Sequence, residues 1–110
     1  MEITREFSQE IAEEMEEKFD LFDEDVTMTT IVARQDGEIV AFCQEEANTV
    51  YEIESQLSGA GRALVEWMKE NISWIEVKNS GKDSWGFWLA MGFSQIAESG
   101  YYGEFEWEAQ

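Results

Sequence analysis

The chain predicts an α/β (α+β) domain, a mixed sheet with helices on both faces in the order α-β-β-β-α-β-α-β-β. Three observations lead there. Phe7, Ile11, Met15, Phe19 and Phe22 recur about every four residues, the period of a helix with one apolar face. "TMTTIVAR" and "EIVAFCQ" flank "QDG", in which Asp36-Gly37 is a strong hairpin signal. Both sides of these strands are apolar, so the sheet is expected to be covered twice.

The elements follow in order. The first helix is expected to take Thr4 as its N-cap. Glu10, Glu13, Glu14, Glu16, Glu17 and Asp20 form its acidic outer wall, and "FDEDV" ends it. In the second strand, alternation assigns Ile39, Ala41 and Cys43 to one side, Val40 and Phe42 to the other. "NTVYEI" is a third strand, with Val50 opposite Tyr51. Gly59 and Gly61 open a second helix that turns Leu64, Trp67 and Met68 inward. "ISWIEV" is dense in β-branched and large apolar residues and reads as a fourth strand. "DSWGFWLAM" is a short aromatic helix, with Gly92 as its C′ residue and Phe93 following. "SQIAESGYYGEFEWEA" closes the chain as two strands.

Composition limits the function classes. The 110 residues suit one domain, residues 1–110, and 44% hydrophobic content suits a packed core. No apolar run approaches a membrane span, and "MEITREFSQE" lacks the pattern of a secretory signal. A single cysteine and no histidine leave no zinc cluster and fit a reducing, cytoplasmic setting. Twenty-five acidic residues against seven basic ones give a net charge of −18. That field repels nucleic acid and anionic membranes and attracts basic proteins and cationic amines. Solubility, mimicry of a DNA backbone and an acidic cleft for an amine each account for it.

The stretch "ESQLSGAGRALVEWM" runs from a strand through a Gly-rich loop into a helix. A helix start offers free N–H groups and the positive end of a dipole, so small residues there can cradle a phosphate. Gln56, Leu57, Ser58, Gly59, Ala60 and Gly61 form Q-x-x-G-x-G, and Arg62 stands in the first turn, where a cation opposes the dipole unless an anion is bound. Close backbone packing is the alternative use of such glycines.

"QLSGAG", then "RALVEWM", "WIEV" and "FWLAMGF", together resemble the GNAT superfamily of N-acetyltransferases over roughly residues 27–107. The resemblance implies a mostly antiparallel central sheet and acetyl-CoA as cofactor, its pyrophosphate held by residues 56–62. It is nearest to short, reduced forms that phages encode, which would place the protein in a host cytoplasm or a virion. Phe87, Trp88, Gly92 and Phe93 match the family's second motif, with Trp88 in place of the tyrosine that faces the thiolate. Leu57 stands where glycine is common, and Gly81 where the family has asparagine. Only "MEIT" precedes the first helix, so the family's first strand is expected to be missing, and the edge thereby exposed predicts a homodimer.

Acetyl transfer needs a positioned donor, a neutral amine and hydrogen-bond donors for the carbonyl oxygen. Glu52 and Glu54 are the candidate bases, and Trp88 is counted with the cofactor site. Tyr101 or Tyr102 would supply the acid that Trp88 cannot. Cys43, on a strand with no histidine partner, reads as an inert thiol. Arg62, with Lys78 and Lys82, must offset the charge of the cofactor. The resemblance thus implies an acetyltransferase acting on an amine substrate. The alternative is an inactive GNAT-derived binding protein whose acidic surface blocks a basic host protein.

Overall fold

A computed structural model describes residues 1–20, 22 and 29–110. The strands are β1 (Glu2–Phe7), β2 (Thr29–Gln35), β3 (Glu38–Glu46), β4 (Thr49–Ser55), β5 (Trp74–Gly81), β6 (Ser94–Ser99) and β7 (Tyr102–Glu108). The helices are α1 (Ser8–Lys18), α2 (Ala60–Asn71) and α3 (Trp85–Ala90), the last preceded by a single 3-10 turn, Lys82–Ser84. One seven-stranded sheet runs β1-β2-β3-β4-β5-β7-β6, antiparallel at every neighbour except β4 and β5. The expected mixed, mostly antiparallel sheet with helices on both faces is therefore present.

The hairpin at Asp36-Gly37 has both residues at positive φ, 54° and 84°, as a tight two-residue turn requires. On one face α1 lays Ile11 and Met15 against Val32, Ile39 and Phe42. On the other, α2 lays Leu64, Val65 and Met68 against Ile31, Ala33, Ala41 and Cys43. Ile39 thus lies on the face of Phe42, opposite to the expectation from alternation. The register explains it: Ala33 pairs with Ala41 but Arg34 with Ile39, so Val40 is an extra residue. A bulge of one residue inverts the phase of every side chain beyond it.

The N-terminus is the larger correction. Residues Glu2–Phe7 form a strand against β2, where the sequence reading placed an N-cap at Thr4 and no first strand. Phe7 matches the helical period but is 63% exposed and ends β1. Two ion pairs stitch this strand down. Arg34 Nη2 meets Glu6 Oε1 at 3.0 Å, and Arg5 pairs with the buried Glu45 across the sheet. β1 also covers the β2 edge from which a homodimer was inferred. "FDEDV", apart from Phe22, and the first two residues of "TMTTIVAR" lie outside the described residues.

The Arg5–Glu45 pair carries a stability prediction. Removing Arg5 leaves a carboxylate that is only 6% exposed without its countercharge. Arg5→Met should destabilise by about 1–3 kcal/mol, less than a fully buried pair because Arg5 itself reaches water. A urea melt monitored by tryptophan fluorescence checks this, and Arg5→Met with Glu45→Gln should recover part of the loss.

Candidate functional site

The site begins where β4 and β5 part. They pair only at Thr49–Glu76 and Val50–Val77, then diverge. Both strands are bulged at the fork. In β4, Glu52 and Val50 pair with successive residues Gln44 and Glu45, leaving Tyr51 extra. In β5 the register shifts between Val77 and Ser80, with Asn79 at φ 55°. Bulges bend and twist a strand away from its neighbour, and two facing each other across one ladder open it. The result is a cleft of about 110 Å3 lined by Tyr51, Glu52, Ile53, Lys78, Ser80 and Trp88, among others. Beyond Val50, the edge of β4 facing β5 has no ladder partner there.

At the far end of β4 the chain turns into α2 around an open concavity of about 550 Å3, lined by Ser55, Gln56, Leu57, Ser58, Gly59, Gly61, Arg62 and Phe87. Gly59 sits at φ 86°, a left-handed conformation that side chains rarely adopt. Ala60 N–H bonds Leu57 carbonyl at 3.1 Å, and Ala63 N–H bonds Gly59 carbonyl at 3.0 Å. Among the described residues the N–H groups of Ser58, Gly59, Gly61 and Arg62 meet no backbone acceptor, which leaves them to solvent or a ligand. Gly61 lies beside Phe87, whose ring would stand 3.8 Å from an added Cβ, so α3 walls the concavity. Gln56 is anchored elsewhere: its N–H bonds Val40 carbonyl and its side-chain amide donates to Lys18 carbonyl at the end of α1. Arg62 is exposed, and its Nε donates to Glu66 at 3.1 Å.

Trp88 does not reach this cradle. It is 1% exposed, packed at 5.0 Å ring to ring against both Phe87 and Phe93. The end of α3 explains why. Phe93 N–H bonds Trp88 carbonyl, Gly92 N–H bonds Leu89 carbonyl, and Gly92 is at φ 87°. This is a Schellman turn, in which the two residues flanking the turn make a hydrophobic contact. The indole closes the helix and floors the β4–β5 cleft.

Of the other candidates, Glu52 lines the cleft. Glu54 stands opposite Phe42 in the ladder, further from the fork. Tyr101 is outside it, half-exposed and packed over Gly81. Its phenol donates to Asp83 Oδ2 at 3.1 Å, a bond that pushes its pKa above the usual tyrosine range. Cys43 is buried, 3.6 Å from the Met68 sulfur, and desolvation raises its pKa far above that of a free thiol. Tyr51 and Lys78 are the cleft residues that matter most among those the sequence reading passed over or left in second rank. No sequence signal marks Tyr51, because its place depends on a bulge. Among the described residues no group of three or more His, Cys, Asp or Glu is placed to hold a metal.

The fold is that of the GNAT superfamily. Several solved structures share it. A GNAT-family protein from Desulfovibrio desulfuricans superposes with a TM-score of 0.66 at 16% identity, over 97% of this chain and 99% of that one. YjaB from Escherichia coli gives 0.65 at 16% identity over 96% of each. PaiA N-acetyltransferase from Thermoplasma acidophilum, solved in complex with coenzyme A, gives 0.57 at 15% identity over 72% of this chain. The chain spans 59% of the length of that protein. No family model and no curated protein matches the sequence. No described helix is long and apolar enough to cross a membrane.

Proposed function

We propose that the protein binds acetyl-CoA, with the diphosphate on the amides of residues 58–62 and the thioester arm in the β4–β5 cleft, and transfers the acetyl group to a primary amine. The observation that carries this reading is the fork itself: a strand pair opened by two bulges, leading directly to a helix start with unpartnered N–H groups. The edge of β4 that splays from β5 offers backbone donors to a carbonyl oxygen as it becomes anionic. Glu52 is the base in this reading, since it is the carboxylate lining the cleft. A cytoplasmic setting, where CoA thioesters are available, fits it. Isothermal titration at low salt tests it. Binding of acetyl-CoA in the micromolar to low-millimolar range is expected, and no heat at millimolar ligand overturns it.

A second reading is favoured by Trp88 and the charge of −18: an inactive GNAT-derived protein whose acidic surface occupies a basic host protein. It predicts salt-sensitive capture of a basic partner by a protein that leaves acetyl-CoA unbound.

A further inference from the structure

Six of the seven cations of this chain already meet a carboxylate, a carbonyl or an aromatic ring, and this bears on which form of the donor the site accepts. Arg5, Arg34 and Lys18 pair with Glu45, Glu6 and Glu14 on the β1–α1 side. Lys69 donates to Met91 carbonyl and lies over the rings of Phe93 and Trp107. Lys82 stacks on Trp85, and Lys78 lines the cleft where the thioester arm would lie. Arg62 is therefore the one cation lining the cradle among the described residues, and Glu66 shares it.

Coenzyme A carries two separate anionic groups: the diphosphate, and a phosphomonoester on the ribose 3′ oxygen. The latter adds about −1.5 to −2 charge at pH 7. Placing the diphosphate on residues 58–62 and the thioester in the cleft sends the nucleotide outward from the cradle, past the exposed start of α2. Along α2, residues four apart share a face, so Arg62, Glu66 and Glu70 form one row. That row is net negative. Backbone amides and one shared guanidinium match a diphosphate, and nothing in the row matches a second phosphate.

We infer that the nucleotide 3′-phosphate contributes nothing favourable to binding, so that the site accepts dephospho-CoA thioesters at least as well as CoA thioesters. This rests on the donor-binding reading above and concerns the specificity of the same site.

Paired titrations of CoA and dephospho-CoA, at low salt and at high salt, test it. Dephospho-CoA should bind equally or up to about tenfold more tightly at low salt, the gap closing as salt screens the protein field. Glu66→Gln should improve CoA affinity more than dephospho-CoA affinity. If CoA binds more than about threefold more tightly than dephospho-CoA, the inference is overturned while donor binding stands. If neither ligand binds at millimolar concentration, the donor-binding reading fails and this inference falls with it.

Discussion

Trp88→Ala is expected to destabilise the protein by about 3–5 kcal/mol, the cost of emptying a large buried aromatic site. The loss has two sources. The indole is almost wholly buried against Phe87 and Phe93 within the core cluster, so its removal leaves a cavity that its own helix of only six residues cannot collapse to fill. It is also the hydrophobic half of the Schellman turn, which holds the chain reversal from α3 into β6. Chemical denaturation reads the effect, and Trp88→Phe, which keeps an aromatic ring on Phe93, should lose much less. An alanine variant as stable as the parent would mean that the indole is not the core residue described.

Ser58→Asp separates the cradle from the fold. Ser58 is exposed, its N–H meets no backbone acceptor, and it lies just before α2. A carboxylate at a helix start is favourable to the dipole, by about 0.3–1 kcal/mol, so the melting temperature should hold or rise. The same carboxylate would stand beside a bound diphosphate. Acetyl-CoA affinity should fall by about tenfold or more, which corresponds to only 1.4 kcal/mol of like-charge repulsion in a partly desolvated site. Isothermal titration of parent and variant measures this. Unchanged affinity in a stable variant would put the anion elsewhere.

Much of the architecture is legible in the sequence because local chemistry dictates it. Asp36-Gly37 tolerates positive φ at both positions, and Gly92 does so at a helix end. Both features were expected and both occur. The apolar face of α1 was legible from Ile11, Met15 and Phe19, but its start was not. Phe7 happens to fall on the helical period while the strand before it is held by Arg5 and Arg34, whose partners Glu45 and Glu6 lie 40 and 28 residues away in sequence. Ile39 was misplaced because a bulge at Val40 leaves no compositional mark.

The same limit applies to the site. The loop from Gln56 to Arg62 could be found by its glycines, and the structure does gather it around one concavity. The fork could not, since the bulges at Tyr51 and Asn79 come from register between distant strands. Tyr101 looked free to act because its partner Asp83 is eighteen residues away. Gln56 matched a phosphate-loop pattern, yet its amide is spent on the end of α1.

In the proposed function, the N–H groups at the start of α2, together with the β4–β5 fork, receive a diphosphate-bearing thioester. Amide chemical shifts followed during titration with acetyl-CoA test it most directly. The largest shifts are expected at Ser58, Gly59, Gly61 and Arg62, with a second group at Tyr51, Glu52 and Lys78. Saturating ligand that leaves those amides unmoved, or moves only residues on the β6 side of the sheet, would contradict it.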